Sequence, residues 1–161
     1  MNKNYTNYYY KSYNPKKAVK SFQDLDVYQK ALEASVFAGK TIIGSKSTKK
    51  NKKIVSDFND YIIKNMAVCA FSIPHLIAEA HSCRFGQSNA CLIILDKVML
   101  NCNKMVVYLE QVRDICETNI DHDQFEDQIK KYLWLRRKVL NLQRVWRKYI
   151  QIACQNQSKT T

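Results

Sequence analysis

The sequence predicts an all-α protein, an up-down-up-down antiparallel four-helix bundle, on three observations. Apolar residues recur at three- and four-residue spacing through four long segments, the pattern of helices with one buried face. The 161-residue chain holds only 3 Gly and 2 Pro. Average usage would supply about 11 and 8, so the turns of a many-stranded sheet are missing. The segments are joined by short connections, as bundle helices are. The length fits one domain that buries roughly 70% of its unfolded surface, enough for a core without disulfides or metal.

Residues 1–21 read as a basic, flexible N-terminal arm, Tyr-rich, with five lysines and no acid in the first twenty positions. The bundle domain spans 22–154. In its first segment Leu25, Tyr28, Leu32, Val36, Gly39 and Ile43 mark the core face, with Ser21 or Asp24 as N-cap and Gly44 as the stop. Ser45–Lys53 is a lysine-rich linker. The second stripe is Ile54, Phe58, Tyr61, Ile62, Met66, Cys69, Ile73, Ile77 and Ala80. Pro74 within it predicts a kink or short break near Phe71–Pro74, and Gly86 marks its end. The third stripe, Cys91, Leu95, Val98, Cys102, Met105, Leu109, Val112 and Cys116, keeps heptad-like spacing. Asp121, with Gln124 three residues on, opens the fourth helix as a capping box. Its apolar face is Phe125, Ile129, Tyr132, Leu133, Val139, Leu140, Trp146, Tyr149, Ile150 and Ala153, and 155–161 form a polar tail.

The chemistry of common enzymes has no foothold here. Three scattered glycines, Gly39, Gly44 and Gly86, cannot build a phosphate-cradling loop. None of His75, His81 and His122 lies three residues after a Glu, as a two-metal carboxylate bundle requires. No two of the six cysteines fall within four positions, so zinc-ligand spacing is absent. They read as small buried hydrophobes kept as thiols in a reducing compartment. The expectation is a non-enzymatic protein with no catalytic residue, no cofactor and no metal. The longest uncharged run, Asn65–Ala78, is shorter than the roughly 20 residues of a membrane span and is interrupted by Pro74. The N-terminus has no apolar signal core. A cytoplasmic protein without membrane contact is expected.

Charge supplies the functional lead. Lys+Arg 26 against Asp+Glu 14 gives +12, which points to a polyanionic partner, nucleic acid first. The fourth helix confines its acids, Asp123, Glu126 and Asp127, to its first turns. Beyond them Lys130, Arg137 and Arg144 recur every seven residues with Lys148 one turn further, a single stripe beside Trp134 and Asn141. Arg136 and Arg147 form a neighbouring row. A row of one sign repels itself and asks for an anion; arginine offers phosphate a planar fork, and a tryptophan beside it offers a stacking face. Lys130, Arg136, Arg137, Arg144, Arg147 and Lys148 are therefore the candidate nucleic-acid contacts. Lys49, Lys50, Lys52, Lys53, Arg84 and Arg113 are further basic candidates.

Three segments carry a resemblance. Phe22-Gln23-Asp24-Leu25-Asp26-Val27-Tyr28-Gln29-Lys30-Ala31, Ser72-Ile73-Pro74-His75-Leu76-Ile77-Ala78-Glu79-Ala80, and the long stretch Leu95 through Val112 with its Cys102-Asn103-Lys104 step resemble a four-helix-bundle family. That family includes the protein encoded in intervening sequences of large-subunit ribosomal RNA genes and the accessory variability determinant of diversity-generating retroelements. Ala80 stands where that family usually has Gly, and Lys104 where an acid is common. The retroelement branch is strongly basic, so the resemblance implies a nucleic-acid-binding (RNA or DNA) accessory protein, a homopentameric ring and a reverse transcriptase partner. The ribosomal branch implies instead a structural or assembly protein without a catalytic role.

Overall fold

The computed structural model describes residues 19–45, 53–86, 89–116 and 118–157. The expected arm up to residue 18, the linker positions 46–52 and the end of the tail lie outside the described residues. A 3-10 turn, Phe22–Asp24, leads into α1 (Asp26–Ser45), followed by α2 (Lys53–Ser82), α3 (Ala90–Ile115) and α4 (His122–Gln157). The chain is an all-α four-helix bundle, with no strand among the described residues. Each helix packs on the next in sequence, and α4 returns against α1. Phe22 lies beside His81 and Gly39 beside Phe71, so α1 and α2 run in opposite directions. Arg113 meets Glu126 and Leu92 meets Gln143, so α3 and α4 do the same.

Local chemistry fixes the entry into α1. The Ser21 hydroxyl accepts from the Gln23 N–H at 3.2 Å, and the Asp24 carboxylate accepts from the Ser21 N–H at 3.0 Å. This box caps the 3-10 turn rather than α1 itself, which starts at Asp26, with Ser21 as the cap and Asp24 as its reciprocal partner. α1 continues through Gly44 to Ser45. α2 is helical throughout, including Pro74, where a break was one expectation; Ile73 and Ile77 on either side are fully buried and hold the segment against the core. It stops at Ser82, four residues before Gly86, whose N–H closes the following turn on the Cys83 carbonyl at 3.0 Å. α4 starts directly after Asp121, whose backbone carbonyl accepts from the Gln124 N–H at 3.0 Å.

All eight residues of the third stripe are buried. The first stripe needs correction. α1 turns Val27, Ala31, Ala34, Ala38 and Thr41 inward, while Leu32 and Val36 stand 48% and 52% exposed. The core-facing residues are small or polar, and size misled the assignment. Ser35 and Thr41 are tolerated because their hydroxyls donate to the Leu32 and Phe37 carbonyls at 2.7 and 3.0 Å. In α2, Tyr61 is exposed. In α4, Leu133 and Tyr149 face outward, and Leu135, Gln128 and Gln143 take core positions instead. Asn59–Ser82 is long and apolar enough to cross a membrane, and half of that stretch is buried inside the bundle.

Candidate nucleic-acid interface

The site is one side of α4. Its core stripe is Phe125, Ile129, Tyr132, Leu135 and Val139, three to four residues apart. The opposite side, offset by about half a turn, carries Lys130, Arg137, Arg144 and Lys148, while Arg136 and Arg147 flank the core stripe, one turn after the buried Tyr132 and Gln143. Lys130, Arg136, Arg137, Arg144, Arg147 and Lys148 are all exposed. Seven residues of helix rise about 10.5 Å, so the row from Lys130 to Lys148 runs for about 27 Å.

Pairing separates the two ends of the helix. Lys130 lies 4.0 Å from the Asp127 carboxylate, an exposed contact of small energetic weight. Among the described residues no ion pair engages Arg136, Arg137, Arg144, Arg147 or Lys148. α4 has no acid after Asp127. The first turns place Asp123 near the positive end of the helix dipole and leave the rest of the helix a one-sign surface. Lys131 and Lys138, which the heptad spacing left aside, are exposed too and widen it. The Lys138 ammonium sits 5.3 Å from the centre of the Trp134 ring, a cation–π contact that covers part of that half-buried indole.

Two of the further candidates point elsewhere. The Arg113 guanidinium is held by Asp114, at 2.6 and 2.9 Å, and by Glu126 across the α3–α4 turn. Those hydrogen bonds push Arg113 up and hold the Asp114 carboxyl below the usual carboxylate range. Arg113 thus closes the end of the bundle that carries the acids. Arg84 sits at the end of α2, donates to the His81 carbonyl at 2.5 Å and lies 4.1 Å over the Phe85 ring. Lys49, Lys50 and Lys52 lie outside the described residues; Lys53 opens α2.

The remaining polar chemistry joins helices. Arg84 donates to Nδ1 of the buried His81 at 2.9 Å, which leaves the ring proton on Nε2. Burial first, and the Arg84 charge second, lower the His81 pKa, so the ring is neutral at pH 7. Asn101 donates from α3 to the Ser72 hydroxyl at 2.9 Å, and Ser72 donates to the Cys69 carbonyl at 2.7 Å. The Ser72 segment, one of those behind the family resemblance, is therefore a clasp between α2 and α3. Gln143 reaches from α4 to the Leu92 carbonyl and the Asp96 carboxylate at 3.0 and 2.6 Å.

Cys69, Cys83, Cys91, Cys102 and Cys116 are free thiols, and burial pushes Cys69 up to about 11 and Cys102 to about 12. Among the described residues no group of three His, Cys, Asp or Glu side chains is placed to hold a metal ion. No protein-family model, no curated protein and no solved structure matches the chain.

Proposed function

We propose that the protein is a non-enzymatic accessory protein that binds RNA or DNA through α4. It would act as a homo-oligomeric ring, pentameric by the resemblance, associated with a reverse transcriptase. One observation carries the reading: a row of exposed cations about 27 Å long, free of carboxylate partners among the described residues over its C-terminal stretch, in a chain of net charge +12. Carboxylates on the same face would satisfy a surface kept charged only for solubility. Unpaired arginines at helical spacing suit a phosphate backbone, which offers repeated charge and no demand for a shaped pocket. Arg137 and Arg144 stand at the centre of the contact. Arg136 and Arg147 reach a second strand or turn of the backbone, and Lys130 and Lys148 close the ends.

Titrating the purified protein into labelled single-stranded RNA and duplex DNA at low salt tests the binding. Saturable binding that weakens as salt rises supports it, and absence of binding to either removes it. The partner is tested by gene context. A reverse transcriptase gene with template and variable repeats beside this one supports the retroelement reading. A position inside a large-subunit ribosomal RNA gene supports the alternative, a structural or assembly protein of the ribosomal intervening-sequence type.

A further inference from the structure

α4 outruns the rest of the bundle, and the part that does so is not simply polar. Gln143 bonds the Leu92 carbonyl near the start of α3, and the Trp146 ring lies 6.3 Å from that of His81 at the end of α2. From about residue 147, α4 therefore extends past the first residue of α3 and the last of α2, by about 16 Å to Gln157. A projecting helix end has no core to cover and is ordinarily polar. Here Tyr149 is 68% and Ile152 53% exposed, with Lys148 beside them. The same end carries a second open ring. Phe85, in the turn after α2, is 85% exposed, more than any other large apolar residue among the described ones. The Arg84 guanidinium lies 4.1 Å over one face of that ring and is itself held by the carbonyl and Nδ1 of His81. The other face of Phe85 is left to solvent. Arg84, His81 and Trp146 thus form a chain of contacts from Phe85 to α4, and Tyr149 stands three residues beyond Trp146. The Trp134 indole, the stacking face expected from the sequence, is by contrast half-buried and partly covered by Lys138.

We propose that this end of the bundle is a base-stacking site and that the strand lying on the α4 cations is single-stranded: Phe85 and Tyr149 each take an unpaired base, and Arg84 and Lys148 hold the phosphates beside them. This rests on the nucleic-acid reading above and names its substrate class. A duplex hides the faces of its bases and presents phosphates and groove edges, so open rings beside cations have nothing to stack on. An unpaired strand offers a base face to any ring within reach, whatever its sequence. Each open ring also follows a cation directly in the chain, Arg84 before Phe85 and Lys148 before Tyr149, which matches the alternation of phosphate and base along one strand. Phe85 is held by Arg84 before any ligand arrives, so little freedom is lost when a base stacks on it.

The test is fluorescence anisotropy on the full chain with one labelled, unstructured DNA strand, alone and annealed to its complement, at the same salt concentration. The wild type should bind the single strand more tightly, although the duplex carries twice the charge. Phe85→Ala and Tyr149→Ala should each weaken the single strand about 5- to 150-fold and leave the duplex unchanged. Phe85→Tyr and Tyr149→Phe keep a ring and should bind as the wild type does. None of these variants removes a cation, so the salt slope on the single strand should stay the same, which separates stacking from phosphate contact. Both positions are exposed, and circular dichroism confirms that each variant stays helical. A wild type that binds neither ligand removes the α4 reading and this one with it. A wild type that binds both and prefers the duplex overturns this inference alone. So does a single-strand affinity unchanged in both alanine variants, which would leave the two rings to a protein or a lipid surface. An equal loss on single strand and duplex also overturns it, being the mark of a distorted helix end.

Discussion

His81 shows how one buried ring makes stability depend on pH. Its ring packs 6.5 Å from Phe22 and 6.3 Å from Trp146, centre to centre, and Arg84 donates to it. The folded-state pKa is lowered, while the unfolded chain titrates near 6.5. As pH falls through 6.5 the unfolded chain takes up a proton that the folded chain refuses, so stability present at pH 7 is lost downward from there. Melting temperature should drop between pH 7 and pH 5.5, and His81→Gln should flatten that drop. An unchanged slope would mean that other groups set it; Asp114, held below the carboxylate range, acts in a lower window. Tyr132 is a second case. Its hydroxyl is buried without a partner among the described residues, and burial pushes its pKa up. Tyr132→Phe removes a polar group that returns little, so the melting temperature should hold or rise by up to about 4 °C. A clear fall would reveal a bond made by that hydroxyl. The thiols complete this scale. Cys69 and Cys102 should react with a thiol reagent far more slowly than half-buried Cys83 in the native protein, and all six should titrate as free once it is denatured without reductant.

At the scale of a helix, α3 was the most legible in the sequence. All its core residues are apolar, and one spacing runs from Cys91 to Cys116. The prediction is correspondingly plain: Leu109, fully buried, should cost about 2–5 kcal/mol as Leu109→Ala in a denaturant melt. A loss under about 1 kcal/mol would place Leu109 outside the core. The first stripe is right at Leu25, which is buried, and Tyr28, which packs against the core. Leu32 and Val36 face outward because alanines pack as well as leucines where helices lie close. The side chain of Ile43 lies outside the described residues. The Arg113–Glu126 pair spans the α3–α4 turn and could not be read from spacing at all. Gln143 was hidden likewise, since its partners Leu92 and Asp96 lie on another helix. The cation row of α4 was legible because seven-residue spacing fixes a face before any neighbour is known.

For the whole molecule, charge is distributed rather than merely abundant. The acids of α4 and the Arg113 cluster share one end, and the unpaired cations follow the rest of the helix outward. If those cations hold phosphates, binding releases counterions, and log affinity falls linearly with log salt at about 0.7 per contact on single strands and 0.9 on B-DNA. The measurement that bears most directly on the account is therefore salt-dependent fluorescence anisotropy of a labelled nucleic acid with the wild type and with Arg137→Gln/Arg144→Gln. Both side chains are exposed and unpaired among the described residues, so helicity and oligomer mass should not change. The account predicts a salt slope lower by about 1.4 to 1.8 per chain engaged, with all sequences weakened alike. A slope identical to that of the wild type, with the variant still folded, would contradict it and remove α4 as the nucleic-acid surface.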